Sequence, residues 1–277
     1  MAKGKYIEAF GMRLEYMEEG EGEPVVLLHC TGSSASQWGA LSGELRSSHR
    51  VLSVNLHGYG GTSAWDGRAA FRLRHEAALV DELLRQVGEP AHLVGHSYGG
   101  SVALAFSRAM PGHVRSLALF EPASFHLLRT GDPADALAFQ EIVQVAETVW
   151  QALANGEYVL GAGYFVDYWG GCGAWSSMPL ARRQALVALL PKIGLDFQAT
   201  VNEPAGLEAF RELHVPHMLM QGEHSTLPAR RICRTLAALW PDARHCTVQG
   251  AGHMGPVSHA ADVNRLVTGF LREATAH

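Results

Sequence analysis

The most constraining feature of the sequence is a glycine-flanked serine, Gly95-His-Ser97-Tyr-Gly99. An apolar run from Ala91 precedes it and predicts a buried strand, and the segment from about Tyr98 to Met110 predicts a helix. A G-x-S-x-G segment between a strand and a helix is typical of a sharp turn that exposes the serine hydroxyl. The pattern therefore indicates Ser97 as a nucleophile, with an inert serine in a glycine-rich turn as the alternative.

Strand and helix patterns alternate towards both ends of the chain. Four early apolar runs predict strands: 24–29, 51–56, 91–95 and 114–120. Helical spacing recurs between them at 69–87 and 98–110, and the alternation returns at 216–273. Short links between such elements predict parallel strands with crossover helices. The run 114–120 would be the sixth strand if two short strands precede the first run.

The middle of the chain breaks this alternation. Residues 134–153 and 180–190 have helical spacing, whereas the aromatic and glycine-rich stretch 164–175 suits neither a helix nor a strand. We interpret 125–207 as a helical cap insertion over the end of the sheet, and 1–124 with 208–277 as the core. Five glycines in the cap predict tight turns or mobility, as a lid would need: Gly161, Gly163, Gly170, Gly171 and Gly173.

Charge and cysteine content exclude several classes of protein. There are 22 Lys and Arg against 27 Asp and Glu, a formal net charge of −5, and no basic stripe for nucleic acid. No apolar run reaches the length of a signal peptide or a spanning helix, so we expect no membrane segment. The four cysteines are scattered, which favours reduced thiols in a cytoplasmic protein.

Three further segments, together with the serine turn, carry a family resemblance. They are 29–38 (HCTGSSASQW), 55–63 (NLHGYGGTS) and 250–253 (GAGH). In this order the four motifs resemble the α/β-hydrolase superfamily, in its serine hydrolase and esterase branch with a helical lid. The resemblance covers nearly the whole chain. It implies an α/β fold with a mostly parallel sheet flanked by helices.

The position of one histidine marks it as the candidate base. A triad of this type runs in the chain order serine, acid, histidine. His253 follows the last predicted strand and precedes the last predicted helix, so it is expected to accept the Ser97 proton. The other histidines lack H-E-x-x-H spacing, and we expect neither a metal nor an organic cofactor.

The acid departs from the family pattern. Ser225 stands where the resemblance places an aspartate after the seventh strand. Glu121 follows the predicted sixth strand directly, and haloalkane dehalogenases of this fold carry their acid there. We therefore predict Glu121 as the acid, with Glu223 and Asp196 as rivals and a triad without an acid as a further alternative.

The resemblance also implies an oxyanion hole and a pocket. Backbone N–H groups of Tyr98 and Thr31 would be the donors, and Cys30 replaces the usual glycine beside them. His29 would organise this loop. Predicted substrate contacts are the following: His29, Trp38, Tyr164, Phe165, Tyr168, Trp169, Trp175 and Met254. The alternative for the cap aromatics is that they only pack the cap.

These features predict a serine hydrolase that cleaves small to medium apolar carboxylic esters through an acyl-enzyme. Cleavage of a carbon–carbon bond in a diketone, or of an amide, would use the same triad. A ligand-binding protein with weakened chemistry is the alternative of another class, because the expected aspartate is missing. An apolar surface on the cap is compatible with a homodimer.

Overall fold

Eight strands form one sheet in the computed structural model, which describes residues 4–9 and 11–275. The strands are β1 (Gly4–Ala9), β2 (Met12–Glu19), β3 (Glu23–Leu28), β4 (His49–Val54), β5 (Ala91–His96), β6 (Val114–Phe120), β7 (His217–Gly222) and β8 (Arg244–Val248). Their order in the sheet is β1-β2-β4-β3-β5-β6-β7-β8. Strand β2 is antiparallel to both its neighbours, whereas the six strands β3 to β8 are parallel to one another. This confirms the predicted α/β fold with a mostly parallel sheet. The terminal residues 1–3, 276 and 277 of the predicted core, and residue 10, lie outside the described residues.

Helices cover both faces of the sheet. They are α1 (Gly39–Leu45), α2 (Leu73–Val87), α3 (Tyr98–Ala109), α4 (Pro133–Ala154), α5 (Tyr158–Gly170), α6 (Ala174–Ser177), α7 (Leu180–Val201), α8 (Leu227–Leu239), α9 (Gly255–Ser258) and α10 (Ala260–Thr275). In the described part of the chain, no helix has both the length and the apolarity that crossing a bilayer requires.

The sheet separates two hydrophobic clusters. Along β3, Val26 and Leu28 join one cluster with α2, α3 and α8, whereas Val25 and Leu27 join the other with α1 and α10. Successive side chains of a strand point to opposite faces, so a strand covered on both sides must be apolar throughout. This burial explains why β3 was recognisable as a continuous apolar run.

The N-terminal hairpin of β1 and β2 gives a much weaker sequence signal. Among its side chains Ile7 and Leu14 are buried, whereas Glu15 and Glu18 take part in polar contacts at the surface. These two strands precede the first apolar run, so 114–120 is the sixth strand.

Residues 125–207, the segment that we predict to be a cap and call the cap below, contain α4 to α7, but the middle of this segment differs from the prediction. Residues 164–170 continue α5, and 174–177 form α6, so the expectation that 164–175 is irregular was wrong for most of it. A Cβ at Gly161 would lie 2.8 Å from Cβ of Ala152 and from Cδ2 of Leu190, so glycine there lets α5 approach α4 and α7. Positive φ occurs in this stretch at Gly171 and Gly173, between α5 and α6.

Candidate active site

Ser97 lies in the turn between β5 and α3, in a strained backbone conformation with φ of 53° and ψ of −115°. A Cβ at Gly95 would lie 2.7 Å from Gly100, and one at Gly99 would lie 2.3 Å from the carbonyl oxygen of Leu28. Both positions therefore require glycine. The Ser97 N–H donates to the carbonyl of Phe120 over 2.9 Å, so β6 supports the turn.

Glu121 directly follows β6 and, like Ser97, has a positive φ. Its φ is 44°, and within the described residues only Ser97 and Glu121 have positive φ without being glycine. A side chain in this region costs about 1–3 kcal/mol of strain, and such residues cluster at functional sites. The Glu121 N–H donates to the carbonyl of Met220 over 3.0 Å, and the side chain is fully buried.

The three predicted triad side chains form one hydrogen-bonded chain. Nδ1 of His253 is 2.6 Å from Oε2 of Glu121, and Nε2 is 2.9 Å from Oγ of Ser97. Oε1 of Glu121 accepts the Gly222 N–H over 2.6 Å and the Ser225 hydroxyl. With Nδ1–H donating to the carboxylate, Nε2 is free to accept the serine proton.

Neither rival acid contacts His253. Glu223 has a partly exposed carboxylate that accepts the Gly250 N–H over 2.9 Å. Asp196 is buried and accepts hydrogen bonds from Thr31 and other neighbours. The serine at 225 holds Glu121 from the position where the family pattern has its own acid.

His96 and Gln37 form a chain of polar groups next to the backbone of His253, which sequence reasoning missed. Nε2 of His96 donates to the carbonyl of His253 over 2.9 Å, and its Nδ1 accepts from the Gln37 amide over 3.0 Å. Burial, with His253 adding to it, holds the pKa of His96 well below its usual value. His96 therefore stays neutral and can both donate and accept. On the cap side, the Trp169 ring lies 4.0 Å from the His253 ring, centroid to centroid.

Both predicted oxyanion donors have a free backbone N–H group. The N–H groups of Thr31 and Tyr98 have no acceptor among the residues that the structure describes. Cys30 lies beside Thr31 at the cavity, and its N–H donates to Oε1 of Gln37 over 3.0 Å. Burial raises the pKa of the Cys30 thiol to about 12, which keeps it protonated and unreactive.

A cavity of about 150 Å³ opens above Ser97. Among the predicted contacts, Phe165, Trp169 and Met254 line it, together with Thr31, Tyr98 and His253. The rest of the wall is mostly apolar and includes Phe125, Val166, Leu186 and Phe197. Two charged residues also line this cavity, Arg182 and Asp196, and sequence reasoning did not predict either as a substrate contact. Arg182 donates to the Gly32 carbonyl over 2.7 Å.

The other predicted contacts lie elsewhere. Trp38 is buried with α1 and α10 on the far face of the sheet, and Tyr164 is 40% exposed. Tyr168 donates to Glu141, and Trp175 packs against Gly163, so both rings hold the cap together. For these rings the alternative reading, packing of the cap, is the better description.

His29 is fully buried and contacts backbone rather than the cavity. Its Nδ1 lies 2.8 Å from the carbonyl oxygen of Cys30, and its Nε2 accepts the Leu56 N–H over 3.2 Å. Burial lowers the pKa of His29 to about 4, so it is neutral. It joins two loops, as expected, and is not a substrate contact.

Within residues 4–9 and 11–275, no three His, Cys, Asp or Glu side chains are grouped so as to hold a metal ion.

The parallel sheet and the strand–turn–helix serine are features of an α/β hydrolase. The sequence model of the alpha/beta hydrolase family matches residues 25–266, and the chain belongs to this family, which confirms the resemblance. It is 26% identical to a 2-hydroxymuconate semialdehyde hydrolase of Pseudomonas putida, over 99% of this chain and 95% of that protein. It is also 26% identical to a pimeloyl-[acyl-carrier protein] methyl ester esterase of Yersinia pseudotuberculosis, over 92% and 95%.

Solved structures show the same fold. An esterase from Thermogutta terrifontis superimposes with a TM-score of 0.76 at 21% identity, over 99% of both chains. Family membership and the sequence relatives together support a hydrolase.

Proposed function

We propose that this protein is a serine hydrolase that cleaves small carboxylic esters, with Ser97, His253 and Glu121 as its triad. The observation that carries the proposal is a continuous hydrogen-bonded chain at the floor of an apolar cavity, 2.9 Å from Ser97 to His253 and 2.6 Å from His253 to Glu121. Position 225 has no aspartate to pair with His253, and Glu121 takes that role.

In the proposed mechanism, Nε2 of His253 takes the Ser97 proton while Oγ bonds to the ester carbonyl carbon. The N–H groups of Thr31 and Tyr98 stabilise the carbonyl oxygen as it becomes negative. Collapse of this intermediate breaks the ester bond, and the alcohol leaves with the proton from His253. Water then attacks the acyl carbon and gives its proton to Nε2 of His253. The Oγ–acyl bond breaks, the carboxylic acid leaves, and Nε2 returns the proton to Oγ of Ser97.

The cavity favours a small acyl or alcohol group. Its volume is about 150 Å³, and an apolar cavity of about that size holds one benzene molecule. We therefore expect higher kcat/KM for p-nitrophenyl acetate and butyrate than for the octanoate.

The direct test compares the wild type with Ser97→Ala, Glu121→Gln and Glu223→Gln on these three esters. We expect Ser97→Ala and Glu121→Gln to lower kcat by up to ~10⁴-fold, because each removes one member of the triad. Glu223→Gln is the matched control, since it neutralises a carboxylate that does not reach His253. Equal loss in Glu121→Gln and Glu223→Gln would contradict the assignment of the acid.

Cleavage of a carbon–carbon bond is the second candidate. It is favoured by the similarity to the 2-hydroxymuconate semialdehyde hydrolase along almost the full length of both chains. The same variants should then be assayed on a vinylogous diketone and on a p-nitroanilide. Turnover of the diketone without turnover of esters would replace the esterase proposal, and the anilide tests an amidase. Tight binding of a ligand without any Ser97-dependent turnover would point to a binding protein.

A further inference from the structure

Both residues that offer the oxyanion N–H groups have side chains anchored in one buried cluster of charges. The Thr31 hydroxyl donates to Oδ2 of Asp196 over 2.8 Å, and the Tyr98 hydroxyl donates to Oε1 of Glu76 over 3.0 Å. The ammonium group of Lys192 bridges these two carboxylates, at 3.1 Å from Glu76 and in contact with Asp196. The loop after β3 and the start of α3 are thus joined through a single lysine.

The cluster is built from both parts of the chain. Lys192 and Asp196 are one turn apart on α7 in the cap, whereas Glu76 is on α2 in the core. Glu76 is fully buried, and the Lys192 and Asp196 side chains are 7% and 3% exposed. A buried charge is tolerated only when it is paired and hydrogen-bonded, so this geometry is strongly constrained.

Tyr59 ties the cluster to a second residue of the loop after β3. Its hydroxyl donates to Oδ2 of Asp196 over 2.6 Å and accepts the Gly32 N–H over 3.0 Å. Burial raises the pKa of Tyr59 and Tyr98 well above its ordinary value, and the nearby carboxylates add to this, so both phenols remain donors.

Aromatic rings enclose the lysine. The Lys192 ammonium lies 4.9, 4.7 and 4.6 Å from the ring centroids of Tyr59, Phe71 and Tyr98. Such cation–π contacts are worth ~2 kcal/mol or more when water is excluded. They hold the ammonium group between the two carboxylates rather than at the surface.

We propose that Lys192, Asp196 and Glu76 are positioning residues that hold the Thr31 and Tyr98 N–H groups in register for the oxyanion. The cap thereby completes the catalytic apparatus in addition to covering it. This inference rests on the proposed function, because it assigns a role within the same reaction. The oxyanion develops only after the substrate is bound, as Oγ attacks. Loosening this cluster should therefore lower kcat and leave KM nearly unchanged.

Thr31→Val and Tyr98→Phe test the cluster without leaving a charge unpaired. Each removes one hydroxyl donor to a carboxylate and keeps the backbone N–H. Removing an oxyanion donor outright costs ~10²–10³-fold in kcat, so displacing one should cost about tenfold. Thr31→Ser, which keeps the hydroxyl, should restore most of the lost kcat.

The matched controls remove the same kind of hydrogen bond away from the site. Thr130→Val deletes a threonine–aspartate bond of 2.7 Å in the cap, and Tyr6→Phe deletes a tyrosine–glutamate bond of 2.9 Å on β1. Neither control should change kcat. Equal kcat values for Thr31→Val and Thr130→Val, or a rise in KM alone, would overturn the proposal.

A second measurement does not depend on turnover. A trifluoromethyl ketone forms a tetrahedral oxyanion adduct with an activated serine, and ¹⁹F NMR reports its affinity. We expect Thr31→Val and Tyr98→Phe to weaken the adduct about tenfold relative to their controls, in parallel with kcat. Unchanged adduct affinity would overturn the positioning role even if turnover fell. Absence of both ester turnover and adduct in the wild type would reject the proposed function and, with it, this inference.

Discussion

At the scale of single residues, two strained backbone positions define the site. Ser97 and Glu121 follow adjacent parallel strands, and their carboxyl ends meet at the same edge of the sheet. Ser225, in the loop after β7, donates to Oε1 of Glu121, the carboxylate oxygen that does not contact His253. The proposed acid thus follows β6, whereas the family pattern has an aspartate after β7, and its carboxylate still reaches Nδ1 of His253.

This displaced position predicts that the acid can be moved to the loop after β7. Glu121→Ser alone should lower kcat by up to ~10⁴-fold, because His253 loses its carboxylate. The double variant Glu121→Ser with Ser225→Asp should recover at least about tenfold of that loss, since a charged acceptor returns near the same nitrogen. Steady-state kinetics on p-nitrophenyl butyrate measures both. Ser225→Asp alone is the control, because it sets two carboxylates side by side. A double variant no better than Glu121→Ser would contradict the idea that an acid after β7 can serve His253.

At the scale of elements, the helices of the cap pack closely because α5 carries glycine at its contacts. At Gly161 there is no room for a side chain between α5 and its neighbours α4 and α7. Packing against these two helices therefore accounts for glycine within a segment that is helical. Gly269 on α10 is the opposite case, since a Cβ there would meet nothing within 4 Å.

Alanine at these two glycines should therefore change stability in opposite directions. Alanine in place of a helical glycine gains up to about 1 kcal/mol from backbone entropy alone. In Gly161→Ala, overpacking against Ala152 and Leu190 should outweigh that gain and lower the free energy of unfolding by ~1–2 kcal/mol. Gly269→Ala should raise it. Urea unfolding followed by circular dichroism measures both, and a stabilised Gly161→Ala would contradict the close packing of α5.

At the scale of the whole molecule, buried neutral histidines make stability depend on pH. Burial lowers the pKa of His29, His126 and His217 to about 4 in each case. In the unfolded chain these groups take up protons near pH 6.5. Their contribution to stability is therefore complete above about pH 6.5 and is lost as the pH falls towards 4, by up to ~1.4 kcal/mol per pH unit for each histidine.

His217→Phe isolates one of these groups. The His217 ring stacks on Trp240 at 4.1 Å, and its buried Nε2 has no hydrogen-bond partner among the described residues, so phenylalanine keeps the stacking and loses no bond at that atom. We expect a smaller loss of unfolding free energy between pH 6.5 and 4.5 than in the wild type. His245→Gln, at an exposed side chain, is the control and should follow the wild type. Equal slopes for both variants would contradict the proton linkage of His217.

The sequence by itself determined the α/β fold with a mostly parallel sheet, and it marked Ser97, His253 and Glu121 as the candidate triad. It could do so because burial on both faces makes a strand apolar throughout, and because a tight turn demands glycine at fixed spacing. Local patterns could not show that residues 164–170 are helical, because the glycines of α5 are needed for close packing against neighbouring helices, which the local sequence does not show.

Only the tertiary structure decided which distant side chains meet. The cluster of Lys192, Asp196 and Glu76 joins residues more than a hundred positions apart, and nothing in the local sequence of α2 or α7 shows the other. Likewise, Trp38 and Trp169 are equally apolar in the sequence, yet one lies across the sheet and the other over His253. Apolarity requires that a side chain be buried, whereas the packing of the elements decides against what.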